Sequence, residues 1–182
     1  MKIKLDDLKF SNVLLREVKR SDYVSFYRVG SNPNMCKYLN WGPFKNIGEA
    51  LYTLDNFYLN RPDNYNLPVG YSIIIDNDFR GIIDYHTQVD NSISIGYFLE
   101  ESYWHKGYMN KILRHVIEYA FNNLDIDKIN IQTLAENERN INLINNLSFK
   151  YEKEEMVEVD DNDYRLGYNY SLYKNEFGGI KW

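Results

Sequence analysis

The sequence has few of the residues that signal secretion, metal binding or membrane insertion. It contains one cysteine, Cys36, and three histidines among 182 residues. One cysteine excludes an intramolecular disulfide framework and a zinc site built from cysteines. No apolar stretch approaches the roughly 18 residues of a membrane-spanning helix, and residues 1–7 do not resemble a signal peptide. We therefore expect a cytoplasmic protein that binds neither a metal nor a membrane.

Positive charge is also scarce. There are 21 basic and 26 acidic residues, the net charge is −5, and no basic run occurs. A protein built around phosphate-backbone contacts needs a face of lysine and arginine, so nucleic acid is not an expected partner. The length and the 44% of hydrophobic residues predict a single globular domain over residues 1–182.

Alanine and proline are rare. The chain has three alanines against 23 asparagines and 17 tyrosines, a bias typical of an AT-rich bacterial genome rather than of a particular chemistry. All four prolines lie within the first 68 residues. We therefore expect irregular connections in the first third of the chain and regular elements after it.

Hydrophobic periodicity predicts a mixture of strands and helices. Strand patterns occupy residues 11–18, 71–75, 81–86, 93–99, 128–134, 149–159 and 164–173. Helical spacing follows Ser21–Asp22, recurs over 47–60 and 108–123, and follows Asn137. Because strand, helix, strand and helix alternate over 93–147, we expect a parallel crossover unit within an α+β domain.

The start of the predicted helix over 108–123 is the strongest candidate for a ligand site. Gly107 precedes this amphipathic helix, and Lys106 lies beside the glycine. Glycine allows close approach of the backbone, and the first N–H groups of a helix attract anions. These features predict a phosphate site, although many helices that begin after a glycine bind nothing. Neither a P-loop nor a dinucleotide fingerprint is present.

Several short motifs follow one another along the second half of the chain. They include Gly-Tyr-Phe-Leu at 96–99, Tyr-Trp-His-Lys-Gly-Tyr-Met at 103–109, Asn137 and Leu-Ser-Phe at 147–149. Their order and spacing resemble the GNAT N-acetyltransferases, most closely the RimJ/RimL-like branch. The resemblance extends over residues 11–174. It implies a mixed, mostly antiparallel sheet of six to seven strands, flanked by helices and splayed at an acetyl-CoA site. It also implies acetyl transfer to a primary amine, by direct attack, on a protein N-terminus or a small amine.

The resemblance also implies which residues hold acetyl-CoA. Main-chain groups of Phe98, Leu99 and Glu100 would contact pantetheine, and Asn137 and Asn140 would lie near that arm. The loop that binds the pyrophosphate would comprise Trp104, His105, Lys106, Gly107, Tyr108, Met109 and Asn110. Trp104 and Met109 depart from the usual Gln/Arg and small residue of this loop.

The same resemblance leaves the acid and the base unassigned. Ile144 occupies the position where many members have a proton-donating tyrosine, and Ser94 the position where the branch often has glutamate. We expect a base among Glu100, Ser94 and His86, with Glu100 first because it ends a strand; Glu101 and Asp84 are further candidates. Each of these residues also has a plain structural explanation as a solvated or strand residue.

The acceptor pocket implied by the resemblance involves Tyr38, Trp41 and Phe44 and the acidic region 152–165. The aromatic residues would form a wall for an ammonium group or simply pack in the core. The acidic region would attract a cationic amine or simply be solvated. Two alternatives to the enzyme remain, a silent CoA-binding module and an interaction protein. The resemblance allows a monomer or a homodimer.

Overall fold

A computed structural model describes residues 4–61, 67–160 and 162–177, except for the side chain of Asp160. The strands are β1 (Leu8–Phe10), β2 (Val13–Glu17), β3 (Gly70–Ile75), β4 (Asp78–Val89), β5 (Ser92–Leu99), β6 (Lys128–Leu134), β7 (Lys150–Asp160) and β8 (Asp163–Tyr173). The α-helices are α1 (Tyr23–Gly30), α2 (Pro33–Cys36), α3 (Ile47–Thr53), α4 (Tyr108–Asn123), α5 (Glu138–Asn146) and α6 (Lys174–Phe177). Short 3-10 turns cover Arg20–Asp22 and Glu101–Tyr103, and a π-helix continues α3 over Leu54–Leu59.

The eight strands form one sheet in the order β1-β2-β3-β4-β5-β6-β8-β7. Strands β5 and β6 are parallel, with Ser92–Ser94 opposite Lys128–Asn130. The pairs β1–β2, β2–β3, β3–β4, β6–β8 and β7–β8 are antiparallel. The predicted mixed, mostly antiparallel α+β fold is therefore confirmed. The short strand β1 raises the number of strands to eight, instead of six or seven.

Contacts along the chain separate it into two compact units. The first comprises residues 1–87 and 96–106, and the second comprises residues 88–95 and 107–182. The chain passes between the units three times, within β4, within β5 and just before α4. The expectation of a single domain over 1–182 thus stays a prediction.

Phe26 is at the centre of an aromatic cluster in the first unit. Its ring makes edge contacts with Trp41, Phe44 and Tyr58, at centroid distances of 5.0, 5.0 and 5.8 Å. Phe26 is fully buried because it lies on the apolar face of α1 predicted by the helical spacing after Ser21–Asp22. Residues from α1, the following loops and the π-helix thereby share one core.

Cys36 is buried beside the same cluster. Its thiol donates a hydrogen bond to the Gly30 carbonyl oxygen at 3.2 Å. Burial raises the pKa of the Cys36 thiol to about 11. Because the thiolate is the reactive form, this cysteine is an inert packing residue.

The second unit is built around the 16-residue helix α4. One face of the helix is buried, through Ile112, Leu113, Val116, Ile117, Ala120 and Phe121. The crossover β5–α4–β6 joins two parallel strands, as the alternation over 93–147 predicts. Asn137 caps the next helix, α5, because its side-chain oxygen accepts a hydrogen bond from the Asn140 N–H at 3.3 Å.

Candidate active site

In the second unit, α4 begins at an open N-terminus. Gly107 precedes the helix with φ +76°, and a Cβ atom at this position would meet no other atom within 4 Å. The Lys111 N–H donates to the Gly107 carbonyl oxygen at 3.3 Å. In an α-helix, the N–H groups before that bond have no carbonyl acceptor within the helix, and the helix dipole favours an anion there. The residue that the sequence singles out therefore leaves room for a phosphate at this end.

In the first unit, the chain that leads to this helix is held by Trp104. Its indole N–H donates to the Leu99 carbonyl oxygen at 2.7 Å, so the side chain anchors the turn that follows β5. His105 is exposed with φ +59°, and the Lys106 ammonium lies 5.1 Å from the centre of the Tyr103 ring. Trp104 is thus half-buried and holds the backbone of this turn, while His105 and Lys106 are exposed.

The remaining residues predicted to contact acetyl-CoA differ in burial. Phe98 and Leu99 are buried at the end of β5, and Phe98 packs on the aromatic cluster, so only their main chains are open to a ligand role. Tyr108, Met109, Asn110 and Asn140 are half-buried, and Asn137 is buried in its cap. Their roles toward acetyl-CoA stay predictions.

Glu100 is held by two arginines of the first unit. One carboxylate oxygen accepts hydrogen bonds from Arg28 at 3.0 Å and Arg80 at 2.9 Å, and the other accepts from Ser102 at 3.0 Å. Burial raises the pKa of Glu100, but the bonds from Arg80, Ser102 and Arg28 outweigh it and hold this pKa below its ordinary value. A carboxylate stabilised in this way is a weak proton acceptor, which favours a structural role for Glu100.

His86 belongs to a different group of side chains in the first unit. Its Nδ1 atom lies 3.2 Å from an oxygen of Asp84, and the same oxygen accepts from Arg61 at 2.9 Å. The Asp84 side chain is 8% exposed, whereas that of His86 is 31% exposed. Asp84 and His86 lie two residues apart on one strand, and the sequence shows this spacing. The sequence carries no signal that Arg61 contacts Asp84.

Ser94, the third predicted catalytic residue, lies in the second unit. It is half-buried on β5 opposite Asn130 of β6. The side-chain oxygen of Asn130 accepts a hydrogen bond from Ser171 at 2.8 Å. Ser94 therefore lies next to a row of polar groups that extends across β6 and β8.

The aromatic residues predicted to bind the acceptor mostly pack against each other. Trp41 and Phe44 are stacked, with centroids 5.0 Å apart and planes 6° from parallel. Phe44 is buried, whereas Trp41 and Tyr38 are half-buried. The Lys37 ammonium lies 4.9 Å from the centre of the Tyr38 ring. An acceptor role for the three aromatic residues stays a prediction, with packing as the better supported role for Phe44.

Several acids of the region 152–165 are paired within the second unit. Glu155 accepts from Lys153 at 2.7 Å, and Asp163 accepts from Arg165 at 2.8 Å. Asp161 and the side chain of Asp160 lie outside the described residues. Among the residues that the structure describes, no three histidine, cysteine or acidic side chains are grouped to hold a metal ion. No helix in the described ranges is both long and apolar enough to span a bilayer.

Comparison with known proteins matches this chain to acetyltransferases. An uncharacterized N-acetyltransferase of Bacillus licheniformis, p20, is 26% identical over 189 residues, covering 96% of this chain and all of p20. The spermidine N-acetyltransferase of Vibrio cholerae, solved with CoA and spermine, has a TM-score of 0.75 at 17% identity and covers 92% of this chain and 99% of its own. The ribosomal L7/L12 α-N-protein acetyltransferase RimL, solved with CoA, has a TM-score of 0.77 at 17% identity. The match covers 94% of this chain and 99% of the RimL chain.

The family itself is shown by a match that covers most of the sequence. The model of the acetyltransferase (GNAT) domain matches residues 12–150, a stretch that includes both β5 and α4. The sequence resemblance, the sheet topology and this match agree. The chain belongs to the GNAT family of acetyltransferases.

Proposed function

We propose that the protein transfers the acetyl group of acetyl-CoA to a primary amine, either a protein N-terminal α-amine or a small amine. The observation that carries the choice of donor is the open N-terminus of α4, where Gly107 is left-handed and unobstructed. The pyrophosphate of CoA is a doubly charged anion that suits such a site. Structures of this fold in other proteins contain CoA, which supports the same donor.

Within the second unit, Tyr108, Met109 and Asn110 would direct main-chain N–H groups toward the pyrophosphate. These residues form the first turn of α4, and a glycine before them removes the side chain that would obstruct a ligand. Asn137 would keep its capping bond to Asn140 while it faces the pantetheine arm. The site needs no metal, because the N–H groups and the helix dipole supply the positive potential.

The acceptor is proposed to be a cationic amine. The two relatives solved with CoA act on spermidine and on a ribosomal protein, so both a polyamine and a protein N-terminus are in range. The net charge of −5 favours the approach of a positively charged acceptor over that of an anion. A substrate panel of polyamines, aminoglycosides and N-terminal peptides separates these acceptors. Action in the cytoplasm, as a monomer or a homodimer, completes the proposal.

The chemistry requires a neutral amine. After the ammonium group loses a proton, the nitrogen attacks the thioester carbonyl, a C–N bond forms and the C–S bond breaks. The CoA thiolate leaves and takes up a proton. Orientation of the two substrates supplies much of the rate, and a base that accepts the proton of the ammonium group adds to it.

The charge at position 107 tests the proposed phosphate site. Gly107→Glu places a carboxylate where the pyrophosphate would bind, whereas Gly107→Gln adds a side chain of the same size without charge. Both variants carry the same left-handed strain, so their difference isolates electrostatics. We expect the Kd for acetyl-CoA, measured by calorimetry, to be at least tenfold higher for the glutamate variant than for the glutamine variant at low salt. The difference should shrink as salt is added.

Desulfo-CoA and ATP serve as ligand controls in this titration. Equal Kd values for the two variants would contradict the phosphate site at α4. Binding of acetyl-CoA by the wild-type protein without acetylation of any amine in the panel would instead favour the silent CoA-binding module. No binding of CoA at all would favour an interaction protein on the same fold.

A further inference from the structure

We infer that His86 is the residue that accepts the proton of the amine, and that Asp84 and Arg61 position it. This role rests on the proposed acetyl transfer, for which the sequence leaves the proton-accepting base open. All three residues lie in the first unit, and each is described with explicit contacts. The His86 side chain is partly exposed, and its second ring nitrogen, Nε2, has no hydrogen-bond partner among the described residues. The other predicted bases of that unit are carboxylates.

Asp84 fixes the orientation of the imidazole ring. The two side chains lie two residues apart on β4, so they project from the same face of the strand. The Nδ1 atom of His86 lies 3.2 Å from a carboxylate oxygen of Asp84. In the neutral ring, this contact places the hydrogen on Nδ1 and leaves the lone pair on Nε2. Nε2 is then the atom that accepts a proton.

Arg61 pairs with the same carboxylate. Its Nη1 lies 2.9 Å from the same oxygen of Asp84, and its Nε donates to the Phe57 carbonyl oxygen at 2.7 Å. The arginine is thus tethered at two points and balances the charge of a buried carboxylate. A buried aspartate with a fixed partner holds the histidine in one rotamer, as a positioning residue should.

The neighbouring strand leaves space for this group. A Cβ atom at Gly96 would lie 2.8 Å from the second oxygen of Asp84 and 3.2 Å from Cε1 of His86. The first distance is shorter than any ordinary contact, so only glycine fits here without a shift of Asp84. Because Gly96 has no side chain, the side chains of Asp84 and His86 both fit beside it.

Glu100 is the competing base, and its contacts oppose that role. Its carboxylate is engaged by Arg28, Arg80 and Ser102, so every oxygen already accepts a hydrogen bond. Protonation of Glu100 would break these charge-assisted bonds. By contrast, transfer of a proton to Nε2 of His86 leaves the bond to Asp84 in place and strengthens it, because the imidazolium is then paired with a carboxylate.

The proposed step conserves atoms and charge. The acceptor ammonium donates one proton to Nε2 of His86, which becomes an imidazolium, and the amine becomes neutral. The amine nitrogen then forms a bond to the acetyl carbon, and the electron pair of the C–S bond leaves with the thiolate. The second proton of the nitrogen is released as the amide forms, and the thiolate is protonated. The imidazolium returns its proton to solvent before the next cycle.

His86→Ala tests the catalytic role of the ring. We expect kcat to fall at least a hundredfold while the Kd for acetyl-CoA stays within twofold, and added imidazole to restore part of kcat. His86→Gln is the second variant if the alanine variant folds poorly, as judged by thermal unfolding. His115→Gln is the matched control, because His115 is a half-buried histidine of α4, in the second unit, whose Nδ1 lies 2.8 Å from the Lys111 carbonyl oxygen. A kcat within threefold of wild type in both His86 variants would overturn the inference.

Asp84→Asn tests positioning through a signal that a purely structural role would not change. Nitrogen-15 NMR of labelled histidine reports which ring nitrogen carries the hydrogen. We expect the neutral His86 ring to carry it on Nδ1 in the wild type and to shift toward Nε2 in Asp84→Asn, with kcat at least tenfold lower. An unchanged tautomer would overturn the role of Asp84.

Arg61→Lys is expected to retain more activity than Arg61→Gln, since lysine still offers a charge to Asp84. Equal activity of the two variants would overturn the role of Arg61. Among the residues that the structure describes, a pH series must consider Asp84, which contacts His86, together with Arg61, which pairs with Asp84, and Tyr58, whose pKa is raised by burial and by the charge of Asp84. Wild-type protein that binds no acetyl-CoA would contradict the proposed function instead, and calorimetry distinguishes that outcome.

Discussion

Ser148 has a backbone conformation that usually belongs to glycine. It follows α5 with φ +64°, its N–H donates to the Asn145 carbonyl oxygen at 3.0 Å, and the Phe149 N–H donates to the Ile144 carbonyl oxygen at 3.3 Å. These two bonds form a Schellman motif, which satisfies the last carbonyl groups of the helix. The left-handed region costs a residue with a Cβ roughly 1–2 kcal/mol. Glycine would adopt this conformation without that cost, whereas serine does not.

We expect Ser148→Gly to stabilise the protein by up to about 1 kcal/mol, because the relief of strain exceeds the entropy that glycine adds to the unfolded chain. Urea unfolding measures this change. Asn145→Gly, inside the last turn of α5, is the control and should destabilise by about 1 kcal/mol. A loss of stability in Ser148→Gly would show that its side chain contributes more than its backbone conformation costs.

The two adjacent carboxylates at the end of β5 have different partners. Glu100 pairs with arginines, whereas Glu101 accepts hydrogen bonds from the side chains of Asn32 and Asn34 at 2.6 and 3.2 Å. Both acids therefore connect the strand end to α1, α2 or β4 within the first unit. Sequence alone shows two neighbouring acids and cannot assign these partners, because the partners come from distant segments.

At the scale of elements, Gly81 allows β4 to lie close to the end of β5. A Cβ atom at this position would collide with the Phe98 carbonyl oxygen and lie 3.1 Å from Cα of Leu99. Both neighbouring atoms belong to the backbone of β5, so they cannot move aside as the end of a flexible side chain could. A glycine within a strand often marks such a close approach.

Gly81→Ala should therefore destabilise the protein by about 2 kcal/mol, and circular dichroism during urea unfolding measures the loss. Gly48→Ala is the matched control in α3, where the nearest atom is the Asn46 side-chain oxygen at 3.1 Å. Alanine has a higher helix propensity than glycine, by up to about 1 kcal/mol, and this gain offsets the cost of the close contact. Equal effects of the two substitutions would contradict the importance of the backbone contact.

The sequence predicts the regular elements best where their period is strong. The expected bounds of α4 and β6 coincide with Tyr108–Asn123 and Lys128–Leu134, because each has an uninterrupted helical or alternating pattern. The turn after β3 was also predictable, since Asp76 and Asn77 both tolerate the positive φ values of 53° and 65° that they adopt. The three-residue strand β1 was not predicted, because three residues are too few to show a period. The π-helix over Leu54–Leu59 shares its apolar spacing with an α-helix, so sequence does not distinguish them.

The candidate site was predictable in part. A glycine before an amphipathic helix is a local signal, so Gly107 was identified from the sequence. The spacing of Asp84 and His86 is also local and places them on one strand face. Arg61 was not identified, because its contact with Asp84 depends on how the π-helix segment packs near β4. The position of Glu100 at a strand end favours it as the base, and only the fold reveals the two arginines that contact it.

At the scale of the whole molecule, a buried ion pair makes stability depend on acidity. Asp22 accepts two hydrogen bonds from Arg16, at 2.6 and 2.9 Å, and a third from Ser72 at 2.7 Å. Burial raises the pKa of Asp22, but the bonds from Arg16, Ser72 and the Lys19 N–H outweigh it and lower this pKa. A carboxyl with a lowered pKa stabilises the fold above its ordinary pKa and loses that contribution as the pH falls through the lowered value.

Asp22→Asn should cost about 3 kcal/mol at pH 7, because it leaves Arg16 without its charged partner in a partly buried position. The difference from wild type should shrink as the pH is lowered toward 3, since protonation removes the same charge from the wild-type protein. Urea unfolding at a series of pH values measures both effects. Asp55→Asn is the control, because its partner Arg20 is 63% exposed, and it should cost less than about 1 kcal/mol. A constant difference across the pH series would contradict the assigned linkage.

The burial of Cys36 has a practical consequence for spectroscopy. The chain carries one thiol, and it is enclosed in the aromatic core with its proton strongly held. Toward a maleimide, the folded protein therefore behaves as if it had no cysteine. A new cysteine placed on the surface becomes a unique attachment point for a fluorophore or a spin label, and the native residue need not be replaced. Two such cysteines within one unit would report the distance between their labels during substrate binding, in an otherwise wild-type chain.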